Sequence, residues 1–403
     1  MRTRRLLLLP VAGLVLGLAV PAGAAERAGN QPATARFATF NASLNRAQPG
    51  ELVADLSTPD DPQAREVAEV IQRNRPDMLL VNEFDYVPDN TAADLFRTNY
   101  LARGQHGAAP IDYPYAFTAP VNTGVGTGFD LNRDGKADGP DDAHGFGLFE
   151  GQYGLLVLSR NPIDTAAVRT FQQFRWRDMP NALLPDDPAT PEPADWYSPE
   201  VMDVLRLSSK SHWDVPIQLG GRTVHFLVSH PTPPSFDGPE DRNGTRNHDE
   251  IRFWADYVTP GAGDYIHDDA GVAGGLGDDA SFVVAGDNNS DPVDGDSVSS
   301  GITQLLDAPR VIDPHPGSVG GLLAAREQGG ANAGQRGNPY FDTADFNDEA
   351  PGNLRVDYVL PSHGLVPLSS AVFWPASGSS LARLNDASDH HLVRLDVLVP
   401  RGS

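Results

Sequence analysis

Residues 282–289 read Phe282-Val283-Val284-Ala285-Gly286-Asp287-Asn288-Asn289. An unbroken apolar run that turns abruptly polar is the mark of a strand buried on both faces that stops where its end opens. The same event recurs along the chain. Asn41 follows Phe37-Ala38-Thr39-Phe40, Glu83 follows Leu79-Leu80-Val81-Asn82, and His230 ends the run from Val224 to Ser229. Asp357 lies within Leu354-Arg355-Val356-Asp357-Tyr358-Val359-Leu360, and Ser388-Asp389-His390 leads into a last apolar run. A single polar residue of this kind is most simply a turn former or a satisfied core group. Six strand ends sharing one cleft would deliver carboxylates, amides and two histidines to one point, and in α/β sheets ligands sit where strand ends open.

Working outward, strands are expected over 36–43, 77–84, 154–159, 211–218, 223–229, 281–286, 355–360 and 391–397. Helical spacing appears over 63–73, 91–103 and 246–258. Strands and helices alternate over the whole length, which favours one α/β domain rather than several. No internal repeat is present. Gly (40) and Pro (35) collect in long loops near 106–150, 176–200, 259–280 and 313–352 rather than at one linker, and loops of that length are usually functional or disordered.

The chain has 403 residues, 54 Asp+Glu against 30 Lys+Arg, and no Cys. Disulfides, Cys-ligated zinc, iron–sulfur clusters and cysteine nucleophiles are excluded. The net charge of −24 argues against a passive, sequence-blind nucleic-acid binder, which needs cationic surface. Residues 1–24 read as an export signal: Arg2, Arg4 and Arg5, an apolar stretch from Leu6 to Val20, then Ala22-Gly23-Ala24. Their removal takes the net charge to −27, since three arginines and no acid leave with them. The expected location is therefore extracellular, and no later stretch is apolar enough for stable membrane insertion. The last residues, 398–403, spell a thrombin-cleavage linker and are set aside as a possible appended tail.

In chain order, Thr39-Phe40-Asn41, Asn82-Glu83, Gln152-Tyr153-Gly154, the strand ending at His230, Gly286-Asp287-Asn288-Asn289, Arg355-Val356-Asp357-Tyr358 and Ser388-Asp389-His390 resemble the motifs of the endonuclease/exonuclease/phosphatase superfamily. The resemblance spans 36–397. Asn82 departs from it, since Gln usually precedes the glutamate, and so does His391. The resemblance implies a four-layer α/β/β/α sandwich, two packed mixed sheets flanked by helices, with the site at one end of the sheets. It also implies phosphoester hydrolysis with Mg²⁺ or Mn²⁺.

The residue types suit that chemistry. A phosphoester is anionic and repels hydroxide, and a hard divalent ion held by carboxylate and amide oxygens offsets that charge. Glu83 is the first expected ligand, with Asn41 beside it and Asp389 as a further candidate. Asp287 would hold the attacking water and Asn289 would donate to the phosphoryl oxygens. Asp357 would accept from His390 and hold its imidazolium, while His230 would bond the phosphate or protonate the leaving group. Tyr153 would border the cleft by analogy with the family, and Lys210 and Arg246 are candidates for phosphate binding.

Residues 130–141 place oxygen donors at loop positions one, three, five, nine and twelve: Asp130, Asn132, Asp134, Asp138 and Asp141. Gly135 holds position six, and Lys136 offers its carbonyl at seven. This is the spacing of a Ca²⁺ loop, expected here as an isolated structural site. Taken together, the sequence points to an exported metal-dependent phosphoester hydrolase. Small or soluble phosphoesters are favoured over nucleic acid, with phospholipids such as sphingomyelin third. A non-catalytic Ca²⁺-binding module is the alternative from another class, and no obligate protein partner is evident.

Overall fold

The computed structural model describes residues 33–298 and 301–400; the stretch 1–24 expected to be an export signal and residues 401–403 lie outside them. In chain order the elements are β1 (Ala33–Asn41), α1 (Pro62–Asn74), β2 (Met78–Asn82), β3 (Tyr115–Phe117), β4 (Leu155–Ser159), β5 (Arg169–Thr170), β6 (His212–Leu219), β7 (Arg222–Ser229), α2 (Arg242–Val258), β8 (Ser281–Asp287), α3 (Val319–Gln328), β9 (Asp357–Pro361), β10 (Val366–Val372) and β11 (Val393–Val399), with short helical turns between them. They build a six-stranded sheet, β10-β11-β1-β2-β4-β3, and a five-stranded sheet, β5-β6-β7-β8-β9. Each sheet has one parallel pair, β1 with β2 and β7 with β8, and the other pairs are antiparallel.

Each parallel pair is bridged by a crossover helix, α1 in the first sheet and α2 in the second. Asp61 caps α1 by accepting from the Ala64 N–H (2.7 Å), and Pro62 supplies the fixed φ of its first turn. Strand alternation then sorts the side chains. Leu79 and Val81 of β2 pack outward with Val67 and Ile71 of α1, while Met78 and Leu80 face the other sheet. In the second sheet Phe282 and Val284 pack outward with Trp254 and Val258 of α2, and Val283 and Ala285 face inward. Phe37 and Phe226 meet between the sheets at 5.4 Å. Helix, sheet, sheet, helix: the chain is the expected four-layer sandwich of two mixed sheets. Among the described residues no helix is long and apolar enough to cross a membrane.

The topology gathers the polar strand ends. β1 and β2 run parallel and finish at one edge of the sandwich, as do β7 and β8. β9 and β11 run the other way and begin there. Asn41, Glu83, His230, Asp287, Asp357 and His390 are thus delivered to one edge.

Setting residues 398–403 aside as a tail needs correction at its start. Leu398 and Val399 pair with Thr34 and Ala33, and Val399 is buried at 1% exposure. Both belong to the sheet, because the alternation of β11 runs through them.

Candidate active site

Asp287 stands at the centre. Its Oδ2 accepts from Asn41 Nδ2 (3.1 Å) and faces His230 Nε2 (3.3 Å) and His390 Nε2 (3.6 Å). Its Oδ1 accepts from the Asn289 N–H (2.9 Å), which closes a turn with Asn289 at φ 51°. Burial alone would push this carboxyl up, but the two histidines and the Asn41 bond outweigh it and hold it well below the usual carboxylate range. Gly286 before it is required by packing: a Cβ there would stand 2.1 Å from the Ser229 carbonyl oxygen of β7.

Behind this carboxylate, His390 Nδ1 bonds Asp357 Oδ2 (2.9 Å). Burial disfavours the imidazolium, but Asp357 and Asp287 on either side overcome that and raise the His390 pKa well above its ordinary value. Burial also raises the Asp357 carboxyl. Thr343 steadies it, donating from Oγ1 to Asp357 Oδ2 (2.9 Å) and lying within 3.0 Å of the Val356 and Asp357 N–H groups. Phe346 meets the His390 ring edge-on at 5.3 Å.

Glu83 leaves β2 at φ 57°. Its Oε1 accepts from Asn41 Nδ2 (3.1 Å) and its Oε2 from Asn45 Nδ2 (2.8 Å). Among the described residues no Lys, Arg or His forms an ion pair with it. Both amides turn their NH2 groups to this carboxylate, and Asn41 Oδ1 accepts from the Ser43 N–H (3.2 Å); a carboxylate with no protein counter-ion, beside amides that can turn an oxygen inward, fits a hard divalent ion. Asp287, Asp357 and His390 also lie within 4.8 Å of one another and form a second group that could hold an ion, although the Asp357–His390 hydrogen bond already engages two of its members.

The remaining expected residues divide. Asn289 lies beside Asp287, with its Nδ2 donating to the Pro231 carbonyl (3.1 Å). Asp389 is exposed, and its Oδ1 lies 3.4 Å from Ser43 Oγ and Ser388 Oγ, outside the Asp287 cluster. Tyr153 stands at the rim, its hydroxyl pKa raised by burial and then by Glu83 and Asp85. Lys210 is 7% exposed. Burial lowers its pKa against the opposing pull of Glu250, Glu83 and Asp287, and no hydrogen bond or ion pair among the described residues takes up its ammonium.

Arg246 needs correction. Its Nε donates to the Leu207 carbonyl (2.8 Å) and its Nη2 to the carbonyls of His144 and Arg206. Buried on α2, it ties two loops together instead of facing a phosphate.

In the 130–141 loop the oxygen donors turn mostly to the loop's own backbone. Asp130 accepts from the Asp134 and Gly135 N–H groups (3.1 and 2.8 Å), Asn132 from Asp134 (3.1 Å), and Asp134 from Lys136 (2.9 Å). Asp141 is exposed, while the buried Asp142 closes the loop onto Leu131 and Gly139 (both 2.8 Å). No three of the loop carboxylates, Asp138 included, gather as a metal-ligating group. Backbone N–H groups take up both Asp130 oxygens, the Asn132 oxygen and one oxygen of Asp134, and Ca²⁺ there has no support.

Four contributors escaped the sequence reading. Asn45 and Thr343 lie in loops with no strand-end signal. Ser388 was quoted only as part of a motif, yet its Oγ donates to the Asn41 carbonyl (2.8 Å). Asp85, pushed up to about 7 chiefly by burial, accepts from the Arg46 and Tyr153 N–H groups (2.8 and 3.1 Å) and so holds two rim segments.

A family model described as the endonuclease/exonuclease/phosphatase family matches residues 38–390. The chain belongs to this family. It is accordingly an enzyme of the metal-dependent phosphoesterase class. Several solved structures are similar to this endonuclease/exonuclease/phosphatase member. One is an endonuclease/exonuclease/phosphatase from Beutenbergia cavernae, 15% identical, covering 91% of this chain and 72% of its own, with a TM-score of 0.49. Another is sphingomyelinase C from Streptomyces griseocarneus, 16% identical, covering 90% and 99%, TM-score 0.47. A third is beta toxin from Staphylococcus aureus with bound magnesium ions, 14% identical, covering 90% and 99%, TM-score 0.45. No curated protein matches the sequence.

Proposed function

We propose that the chain is an exported phosphoester hydrolase in which Asp287 orients the attacking water between His230 and His390, with Mg²⁺ or Mn²⁺ at Glu83 and Asn41. The observation that carries this reading is the Asp287 carboxylate held ionised at 3.3 and 3.6 Å from two imidazole Nε2 atoms. When bound, the divalent ion supplies positive charge against the phosphate and the leaving oxygen. The protein groups do the rest. Asp287 accepts a hydrogen bond from the water and aligns it. His390, kept protonated by Asp357, and His230 donate to the phosphoryl oxygens as their charge grows. Asn289, its Nδ2 bonded to the Pro231 carbonyl, adjoins Asp287 as a further amide donor, and Lys210 offers an unpaired ammonium within the influence of Glu83 and Asp287. Magnesium in the Staphylococcus aureus relative agrees with this choice of ion.

A site of this kind suits a small or soluble phosphoester better than a long polyanion, because Arg246 is tied to carbonyls and leaves Lys210 as a single local cation. The test is a panel of a phosphomonoester, a phosphodiester, plasmid DNA, RNA and sphingomyelin, each with Mg²⁺, Mn²⁺ or Ca²⁺. Turnover of a soluble ester with Mg²⁺ or Mn²⁺, abolished by a chelator and restored by either ion, is expected. Ion-independent turnover would contradict the reading. Export is tested by the N-terminus of protein recovered from culture medium, which should begin at Ala25.

A further inference from the structure

Two loops flank the site at the strand-end edge, 143–153 leading to β4 and 231–241 leaving β7. Of the four exposed aromatic side chains among the described residues, the two most exposed are on these loops: Phe146 at 51% and Phe236 at 85%. Leu148 adds a third apolar tip at 58%. Scattered exposed hydrophobics are ordinary, but Phe236 is held out at a structural cost. It sits at φ 67°, a left-handed backbone that L residues avoid. Asn243 fixes both its neighbours, its Nδ2 donating to the Ser235 carbonyl (2.7 Å) and its N–H to Asp237 Oδ2 (2.7 Å). Backbone strain kept in place by pinned neighbours marks a displayed side chain rather than a stray one. On the other loop the Phe146 ring lies 6.5 Å from that of Tyr153, so its apolar surface continues into the cleft.

Charge selects the occupant. Neither loop contains a Lys or Arg, and Glu150, Asp237, Glu240 and Asp241 stand among the tips. His144, driven down to about 3 by burial, adds no positive charge at neutral pH. A nucleic acid or an anionic membrane needs cationic partners that these two loops lack, and Arg242 just beyond the second is paired with Glu240. Exposed aromatic and aliphatic tips without basic residues suit the interface of a lipid layer with no net charge. Resting on the hydrolase reading above, we propose that Phe146, Leu148 and Phe236 dock the site onto a zwitterionic lipid surface and present it with lipid phosphodiesters.

The test is sedimentation of the Mg²⁺-loaded protein with phosphatidylcholine vesicles, and with vesicles doped with phosphatidylglycerol. Phe236→Asn, which keeps a residue that tolerates the left-handed turn, is compared with Phe146→Ser/Leu148→Ser. The expected result is binding to phosphatidylcholine that resists salt, weakens with phosphatidylglycerol, and falls by roughly tenfold or more in each variant, as lost burial of large apolar side chains implies. Hydrolysis of a water-soluble phosphodiester should stay unchanged in both variants. Wild-type protein left in the supernatant, equal partition of the variants, or variants that instead lose affinity for single-stranded DNA would overturn the proposal. Vesicle binding by a protein that hydrolyses no phosphoester would support the surface and fault the hydrolase reading.

Discussion

At the scale of single residues, the site is a row of facing groups: Asp357, His390, Asp287, His230. Neighbours outweigh burial at His390 and Asp287, while burial prevails at Asp357, so removal of one group shifts the next. His390 is raised above its ordinary pKa by two carboxylates, so its imidazolium is present below that raised value and lost as pH rises through it. Asp357→Asn removes one of the two, and the alkaline limb of the pH profile of kcat/KM should move to lower pH. Thr343→Val should move it the same way by less, since it only frees the Asp357 carboxylate. An unmoved limb in both variants would show that His390 does not act as an imidazolium. Asn41, Glu83, His230, Asp287, Asp357 and His390 were legible because each interrupts an apolar strand. Asn45 and Thr343 were not, because a loop residue acquires its partner only through the fold. Arg246 misled for a related reason: sequence shows a cation, not the three carbonyls that surround it.

At the scale of elements, the close approach of β7 and β8 sets the position of Asp287. Gly286→Ala would drive a methyl group into the Ser229 carbonyl. Such overpacking should cost about 1–3 kcal/mol of stability, read by urea unfolding, and should lower kcat more than it raises KM. Unchanged stability would mean that the two strands can part without loss. The expected helix over 63–73 matches α1 closely, because its Asp61-Pro62 start is written in the sequence. The expected helix over 91–103 is helical from Thr91 to Leu101, an α-helix over Thr91–Leu95 that widens into π turns over Phe96–Leu101. Helix α3 and strand β10 lay hidden. The stretch over 319–328 is Gly- and Ala-rich with little amphipathic pattern, and most of β10 is not buried, so neither carries strong periodicity.

At the scale of the molecule, the chain closes on itself. β11 lies between β10 and β1, and its last residues pair with the first of β1. Removal of residues 398–403 should therefore lower stability by about 1.5–3 kcal/mol, the usual effect of losing one buried Val or Leu side chain. A melting temperature unchanged by that truncation would count against the pairing. The candidate site lies at one edge, where β1, β2, β7 and β8 end and β9 and β11 begin. The central claim is that Asp287 aligns the attacking water there. It is tested most directly by single-turnover hydrolysis of bis(4-nitrophenyl) phosphate with excess Mg²⁺, comparing wild type with Asp287→Asn. With folding intact by circular dichroism, the account predicts a loss of roughly 10²–10⁴-fold in the chemical step, whereas a variant within about tenfold of wild type would contradict it.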